Sequence, residues 1–177
     1  GFGKIVAKGK IEVSDKDGKN QTVEAKHIII ATGARSRELP TMKIDGKKII
    51  GYREAMVLPE IPKSMVIVGS GAIGVEFAYF YNSMGTKVTI VEFLPRIVPV
   101  EDEDISKELE KSYKKNGITI MTSSEVTAVD TSGNGVKASV KSATGETVLE
   151  ADVLLSAVGV AANIEGIGLE TLGIKTE

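Results

Sequence analysis

The chain has no cysteine and no tryptophan, and its 177 residues include one histidine and five prolines. Without cysteine there is no disulfide framework, no thiolate zinc site, no iron–sulfur ligation and no thiol nucleophile within this stretch. One histidine excludes a His-rich metal site, and no metal-ligating residue is expected. Charge of one sign is scarce as well: 22 Lys plus Arg stand against 24 Asp plus Glu, a formal net charge of −2. The basic footprint of a nucleic-acid binder is missing. No apolar run approaches the ~20 residues of a membrane helix. The opening GFGKIVAKGK has no apolar stretch of the kind a secretory leader needs. It also has no initiating Met, so the chain is expected to be a piece cut from a longer one. These absences point to a cytoplasmic protein that engages neither membrane nor nucleic acid. What is present is 42% hydrophobic residues and 19 glycines, enough for about one domain and a fraction. At this length roughly two-thirds of the unfolded surface is buried on folding.

Residues 1–40 read as β-rich. Lys4–Val13 alternates around Ile5, Ala7, Ile11 and Val13, Asp15–Asn20 is turn chemistry, and Gln21–Ala25 is a short partner strand. His27-Ile-Ile-Ile-Ala-Thr-Gly33 is a nearly continuous apolar run, expected as a strand covered on both faces. Pro40, Pro59 and Pro62 fall in residues 34–63, the best boundary region, with a short helix expected over Ile50–Val57.

From residue 64 the pattern changes. Met65–Val68 is a short buried strand, and a helix over Val75–Met84 is predicted by Ile73, Phe77, Phe80 and Met84 at helical spacing, with Gly85 as its stop. Lys87–Val91 is a second apolar strand. Glu101–Asp104 opens another helix, with acids at its start and lysines 111, 114 and 115 toward its end, as the macrodipole favours. Ile118–Met121 is a third strand, residues 125–150 hold an alternating meander, and Asp152–Val158 is a last buried strand. The expected class is α/β: a Rossmann-like parallel sheet with an antiparallel β-meander insertion, the parallel strands being 65–69, 87–92, 118–121 and 153–158.

Gly69-Ser-Gly71-Ala-Ile-Gly74 is a G-x-G-x-x-G loop between a buried strand and an amphipathic helix, the context that dinucleotide binding requires. The first glycine permits the tight turn, the second admits a pyrophosphate, and the third lets helix pack on strand. The helix N-terminus offers N–H groups and partial positive charge to the phosphates. Glu92 ends the second strand, 18 residues after Gly74. A carboxylate there suits the adenine ribose hydroxyls and repels a 2′-phosphate, which favours NAD over NADP. The competing reading is a structural turn followed by an ordinary exposed acid. Glu76, placed on the first helical turn, divides evenly between a dipole-complementing acid and a functional one.

The residues KHIIIATGA (26–34), IVGSGAIGVEF (67–77), VTIVEFLPRIVP (88–99), SSEVTAV (123–129) and DVLLSAVGVAAN (152–163) together resemble the NAD domain of the dihydrolipoamide dehydrogenases, members of the flavoprotein disulfide reductases. The resemblance covers essentially the whole chain. It implies a partial FAD-domain segment at 1–40, an NAD-binding domain at 41–160 and a return segment toward the FAD domain at 161–177. It implies that Gly69, Ser70, Gly71, Ala72, Ile73, Gly74, Val75 and Glu76 cradle the NAD pyrophosphate and that Glu92 holds the adenine ribose. Val126 would line the adenine pocket, and Gly159 would lie on the nicotinamide side. Glu76 is similar to the family glutamate near the flavin–nicotinamide junction, which pairs with a lysine of the FAD domain. Thr32, Gly33 and Ala34 resemble a flavin-contact turn beside FAD. Relatives that use NADP carry arginines where this chain has Glu92 and Val98.

The chain departs from the family where G-R-x-P-N is common, reading Gly159-Val-Ala-Ala-Asn163. It lacks the C-x4-C redox pair, the first glycine loop for FAD, the later Gly-Asp flavin motif and the C-terminal dimerisation domain with its His–Glu pair. In the family, electrons pass from reduced lipoamide to the disulfide, then FAD, then NAD⁺, and no catalytic residue of that relay is expected here. The parent is expected to be a homodimer within 2-oxo acid dehydrogenase complexes, with this piece inactive by itself. Two alternatives stand beside it: the NAD domain of an NADH oxidase or coenzyme-disulfide reductase, and a stand-alone NAD-binding module.

The remaining chemistry-bearing residues read blandly. His27 is expected at a strand edge, Glu101–Asp104 as a solvated helix start, Tyr79, Phe80 and Tyr81 as packing residues, and Arg96 on the surface. Asn163 is a candidate contact of the FAD domain. Strands 5–13 and 27–31 are expected to leave apolar faces and edges that invite self-association.

Overall fold

The structure is a computed structural model and describes residues 1–176. The chain forms two compact units: Gly1–Arg35 with Ala161 onward, and Ser36–Val160.

The first unit is built on an antiparallel sheet of β1 (Phe2–Ala7), β2 (Lys10–Ser14) and β3 (Asn20–Glu24) in sequence order. The alternation over Lys4–Val13 is two strands rather than one, because Gly9 takes φ +74 and turns the chain back. β2 and β3 pair from Lys10 with Glu24 to Ser14 with Asn20. Ile5, Ile167 and Leu169 form a small core joined by Ile11, Ile28, Ile164 and Leu172. Gly168 lies against Ile5, where a Cβ would meet the Ile5 carbonyl oxygen.

The apolar run at 27–33 is not a strand, and this corrects the expectation of a doubly covered one. Ile29 is 90% exposed and Ile30 is 42% exposed. β-Branched residues favour extended backbone, but a strand exists only through a ladder partner. None pairs with this run among the described residues. The chain crosses between units at β4 (Ala34–Ser36), and it crosses back at β13 (Val160–Ala162).

The second unit has three layers. Its elements run β5 (Ile49–Ile50), α1 (Tyr52–Ala55), β6 (Ser64–Val68), α2 (Ala72–Ser83), β7 (Lys87–Val91), α3 (Glu103–Lys115), β8 (Thr119–Met121), β9 (Glu125–Asp130), β10 (Val136–Ser142), β11 (Gly145–Ala151) and β12 (Val153–Ser156). The central sheet has the order β5-β12-β6-β7-β8, and every pair in it is parallel. β5 is an addition to the four expected strands; Ile50 belongs to it rather than to the helix expected from that residue. The antiparallel meander β9-β10-β11 supplies the third layer. No helix among the described residues is long and apolar enough to cross a membrane.

Successive side chains along each central strand serve opposite cores, as the pleat dictates. Met65, Ile67, Val88, Ile90 and Leu155 join Val75, Ala78 and Tyr81 of α2 and Tyr113 of α3. Val66, Val68, Val91 and Leu154 join Val126, Val136, Ala138 and Val140 of the meander. Each fully buried aliphatic side chain contributes roughly 1.5–3 kcal/mol. The doubly apolar strands are therefore the natural consequence of a sheet covered twice.

α2 starts at Ala72 and buries Gly74, Val75, Ala78 and Tyr81. Its core face is thus rotated from the one predicted: Ile73 and Phe77 are partly buried, while Phe80 and Met84 are 51% and 50% exposed. The small residues Gly74 and Ala78 take the closest contact, and the bulky ones are displaced to the flanks. Tyr81 packs as expected, whereas Tyr79 is exposed. α3 begins two residues after Glu101, with Glu103 and Asp104 in its first turn and Lys114 and Lys115 in its last.

Candidate dinucleotide site

Strand order in the central sheet reverses at β6, which has β12 on one side and β7 on the other. Ligands of open α/β sheets bind outside the carboxyl ends of the strands at such a switch point. Here that end is the turn from β6 into α2, and a cavity of about 810 Å³ opens there. It is lined by Gly69–Ile73, Glu92, Val126 and Gly159, together with Leu39–Thr41, Phe93, Pro99 and Ser124.

Three glycines shape the turn for three different reasons. Gly69 has φ +97, and its N–H donates to the Val91 oxygen at 2.9 Å. A Cβ there would run into the Ala157 carbonyl oxygen. Gly74 sits where a Cβ would run into the Gly69 carbonyl oxygen, so α2 starts in direct contact with the turn. Gly71 has φ −66, which any residue adopts, and a Cβ on it would meet nothing within 4 Å. Neither backbone geometry nor packing requires glycine at 71, where a Cβ would project into open space at the cavity.

Gly71 is the N-cap of α2, and no side chain caps the helix. The first turn carries no acid: Glu76 lies beyond it, exposed, and the reading of it as a dipole-complementing acid of that turn, one of the two weighed, is not met. The first-turn N–H groups and their partial positive charge are left facing the cavity. Behind the helix start, Tyr113 donates its hydroxyl to the Val75 oxygen at 2.8 Å. Burial pushes that phenol up, and the charge of Glu76 pushes it further.

Glu92 follows β7 and is 7% exposed, not an ordinary surface acid. Its backbone N–H donates to the Met121 oxygen at 2.8 Å. Its Oε2 accepts from the Ser70 N–H at 2.7 Å and from the Ser70 hydroxyl at 2.6 Å, and its Oε1 accepts from the Leu94 N–H at 2.8 Å. The carboxylate thereby holds the glycine turn and faces the cavity at once. Residues 93–100 fold back over this turn: the Val98 N–H donates to the Ser70 oxygen at 2.9 Å, and Val98 takes φ 39. Arg96 serves this segment, its Nη2 donating to the Pro99 oxygen at 2.9 Å.

The remaining residues singled out from sequence divide. Gly74, Val75 and Glu76 do not line the cavity. Thr32, Gly33 and Ala34 belong to the other unit. There Gly33 takes φ +78, and Asn163 ties the turn: its N–H donates to the Gly33 oxygen at 2.9 Å and its Nδ2 to the Thr32 oxygen at 3.2 Å. Arg35 donates to Asn163 Oδ1 at 3.0 Å and pairs with Glu165 at 2.6 Å. That pairing raises the guanidinium and lowers the carboxyl. Sequence reading gave no role to Leu39–Thr41, Phe93, Pro99 and Ser124, although the last three lie within the runs 88–99 and 123–129 that carry the family resemblance. No group of three or more acidic or histidine side chains among the described residues is placed to hold a metal.

Comparison with known proteins shows the family and the fold. Residues 2–177 match the family described as pyridine nucleotide-disulphide oxidoreductase. A dihydrolipoyl dehydrogenase of Rhizobium etli is 50% identical over 157 residues, covering 88% of this chain and 33% of that protein. A leghemoglobin reductase of Glycine max is 41% identical over 179 residues, covering 100% of this chain and 34% of its own. The crystal structure of LpdA from Mycobacterium tuberculosis superposes with a TM-score of 0.86 at 30% identity, covering 99% of this chain and 39% of that one. The chain spans about a third of the length of the curated relatives it matches. A parallel sheet between a helical layer and a meander layer, a glycine turn at its switch point and a match along nearly the whole sequence all agree: the chain belongs to the pyridine nucleotide-disulphide oxidoreductase family.

Proposed function

We propose that this chain is the NAD(H)-binding portion of a dihydrolipoyl dehydrogenase. One observation carries the reading: Gly71 faces an open cavity at the switch point with no positive φ and no close contact to require glycine, beside the buried carboxylate of Glu92. A pyrophosphate fits that cradle, because a Cβ at 71 would occupy the space it needs and the helix start supplies N–H donors.

In this reading Gly69–Ile73 hold the pyrophosphate, with Gly74 and Val75 fixing the helix behind them. Glu92 receives the adenine ribose, and Val126 walls the adenine side. Gly159 lies on the nicotinamide side, and Glu76 lies near the junction with a flavin. Thr32, Gly33 and Ala34 form the flavin-contact turn of the FAD-domain portion, carried by 1–35 and 161–177. Bound NAD⁺ supplies a hydride acceptor for the reduced flavin. The fixed negative charge of Glu92 disfavours a 2′-phosphate, so NAD is preferred to NADP.

The parent would oxidise dihydrolipoamide through a redox disulfide and FAD, as a cytoplasmic homodimer within 2-oxo acid dehydrogenase complexes. This piece contains no cysteine and only His27 as histidine, which supports its inactivity in that reaction when alone. The departure at Gly159–Asn163 favours a second reading, the NAD portion of another disulfide reductase of the NADH oxidase or coenzyme-disulfide type. The rival to both is a stand-alone NAD-binding module.

Titration of the chain with NADH, followed by nicotinamide fluorescence, tests the site. Saturable binding is expected by about 1 mM, with NADPH weaker by about tenfold or more. No binding at that concentration refutes the site.

A further inference from the structure

The contacts of Glu92 limit what its carboxylate can still do. A carboxylate offers about four acceptor positions. Two on Oε2 are taken by the N–H and the hydroxyl of Ser70, and one on Oε1 is taken by the Leu94 N–H. Ser70 is 0% exposed, so its hydroxyl has no water to turn to. Swinging the carboxylate away would leave two buried donors unpaired, which the fold resists. One acceptor position is therefore left toward the cavity, whereas the adenine ribose of a dinucleotide carries two neighbouring hydroxyls.

We infer that Ser70 is a specificity-determining positioning residue: its hydroxyl fills the second acceptor position of Glu92 Oε2, so Glu92 accepts one ribose hydroxyl through Oε1 rather than gripping both. This rests on the NAD reading of the cavity and deepens it. The site pairs with one ribose hydroxyl and is indifferent to the loss of its neighbour. Removing the Ser70 hydroxyl opens the second position. The glycine turn survives the change, because the Ser70 N–H still donates to Oε2 and the Ser70 oxygen still accepts from the Val98 N–H.

The test compares NADH with its adenosine 2′-deoxy and 3′-deoxy analogues, on the unaltered chain and on Ser70→Ala. On the unaltered chain, one analogue is expected to bind about tenfold or more weakly, and the other within about twofold of NADH. In Ser70→Ala, NADH is expected to bind about three- to tenfold more tightly, and both analogues are expected to lose affinity relative to it. Ser70→Gly, with its fold checked by circular dichroism, should behave like Ser70→Ala. Equal losses for both analogues on the unaltered chain overturn the inference while leaving the NAD site standing. So does a Ser70→Ala variant that weakens all three ligands alike, since Ser70 would then only shape the turn. Absence of NADH binding by the unaltered chain removes the NAD reading itself, and this inference with it.

Discussion

Replacing each glycine of the turn by alanine separates space kept for a ligand from space required by the fold. At Gly71 the backbone is already at φ −66, and a Cβ meets nothing within 4 Å. Alanine is a poorer N-cap than glycine by about 0.5 kcal/mol. It also narrows the unfolded ensemble, which returns about 0.4–1 kcal/mol. The two nearly cancel, so Gly71→Ala is expected to unfold in urea within about 0.5 kcal/mol of the unaltered chain. Its NADH affinity should nevertheless fall by about tenfold or more, the Cβ now standing where the pyrophosphate approaches. Gly74→Ala behaves oppositely. The new Cβ strikes the Gly69 carbonyl oxygen, a backbone atom that cannot swing aside. Overpacking of this kind costs about 1–3 kcal/mol. Gly69→Ala adds about 1–2 kcal/mol of left-handed strain to a similar clash with the Ala157 oxygen. Urea midpoints and NADH titrations on the three variants decide the matter. The reasoning fails if Gly71→Ala is as unstable as Gly74→Ala, or if it binds NADH unimpaired.

Three further outcomes are expected. Lys48 Nζ donates to the Thr131 oxygen at 2.6 Å and the Gly133 oxygen at 2.5 Å, so Lys48→Met should destabilise by about 1–2 kcal/mol and speed amide exchange in the 131–135 turn. Burial pushes the Asp45 carboxyl up, but N–H donors from Lys47, Lys48 and Ile49 outweigh it and hold the group below its ordinary value. Its stabilisation is then complete above the unfolded value of about 3.9 and disappears as pH falls through the lower folded value; Asp45→Asn should flatten that acidic limb in denaturation measured against pH. Finally, Ile29, Phe2, Val6 and Val23 are all more than 40% exposed, so light scattering at rising concentration should show association, and a strict monomer would contradict it.

How far sequence reading reached depended on whether local pattern and long-range partner agreed. Met65–Val68 and Lys87–Val91 were legible because a sheet covered on both faces needs unbroken apolar runs, and both strands have their ladders. Residues 27–31 carry the same pattern without a ladder among the described residues, and pattern alone cannot supply one. β5 was hidden by its length, two residues whose ladder partner is the distant β12. Helix spacing located α2, but its buried face is set by the close approach of Gly74 and Ala78, which the bulkier neighbours obscure. Of the residues lining the cavity, Gly69, Gly71 and Glu92 stood out from spacing. The bonds from Ser70 to Glu92 did not, since the partners stand 22 residues apart, and Leu39–Thr41 reach the cavity only through the tertiary fold.

The first unit is assembled from both ends of the chain, with the whole of the second unit between them. Its small core needs Ile5 to find Ile167 and Leu169, a closure that is entropically expensive over so long a connection. The second unit is continuous in sequence, and when it folds the Arg37 N–H donates to the Gly159 oxygen at 2.9 Å, bringing its own two ends together. Collapse of the middle thus performs the long closure in advance. If the central unit collapses first, the outer one condenses on ends already brought together, and a lesion in the central sheet is then expected to slow the formation of both.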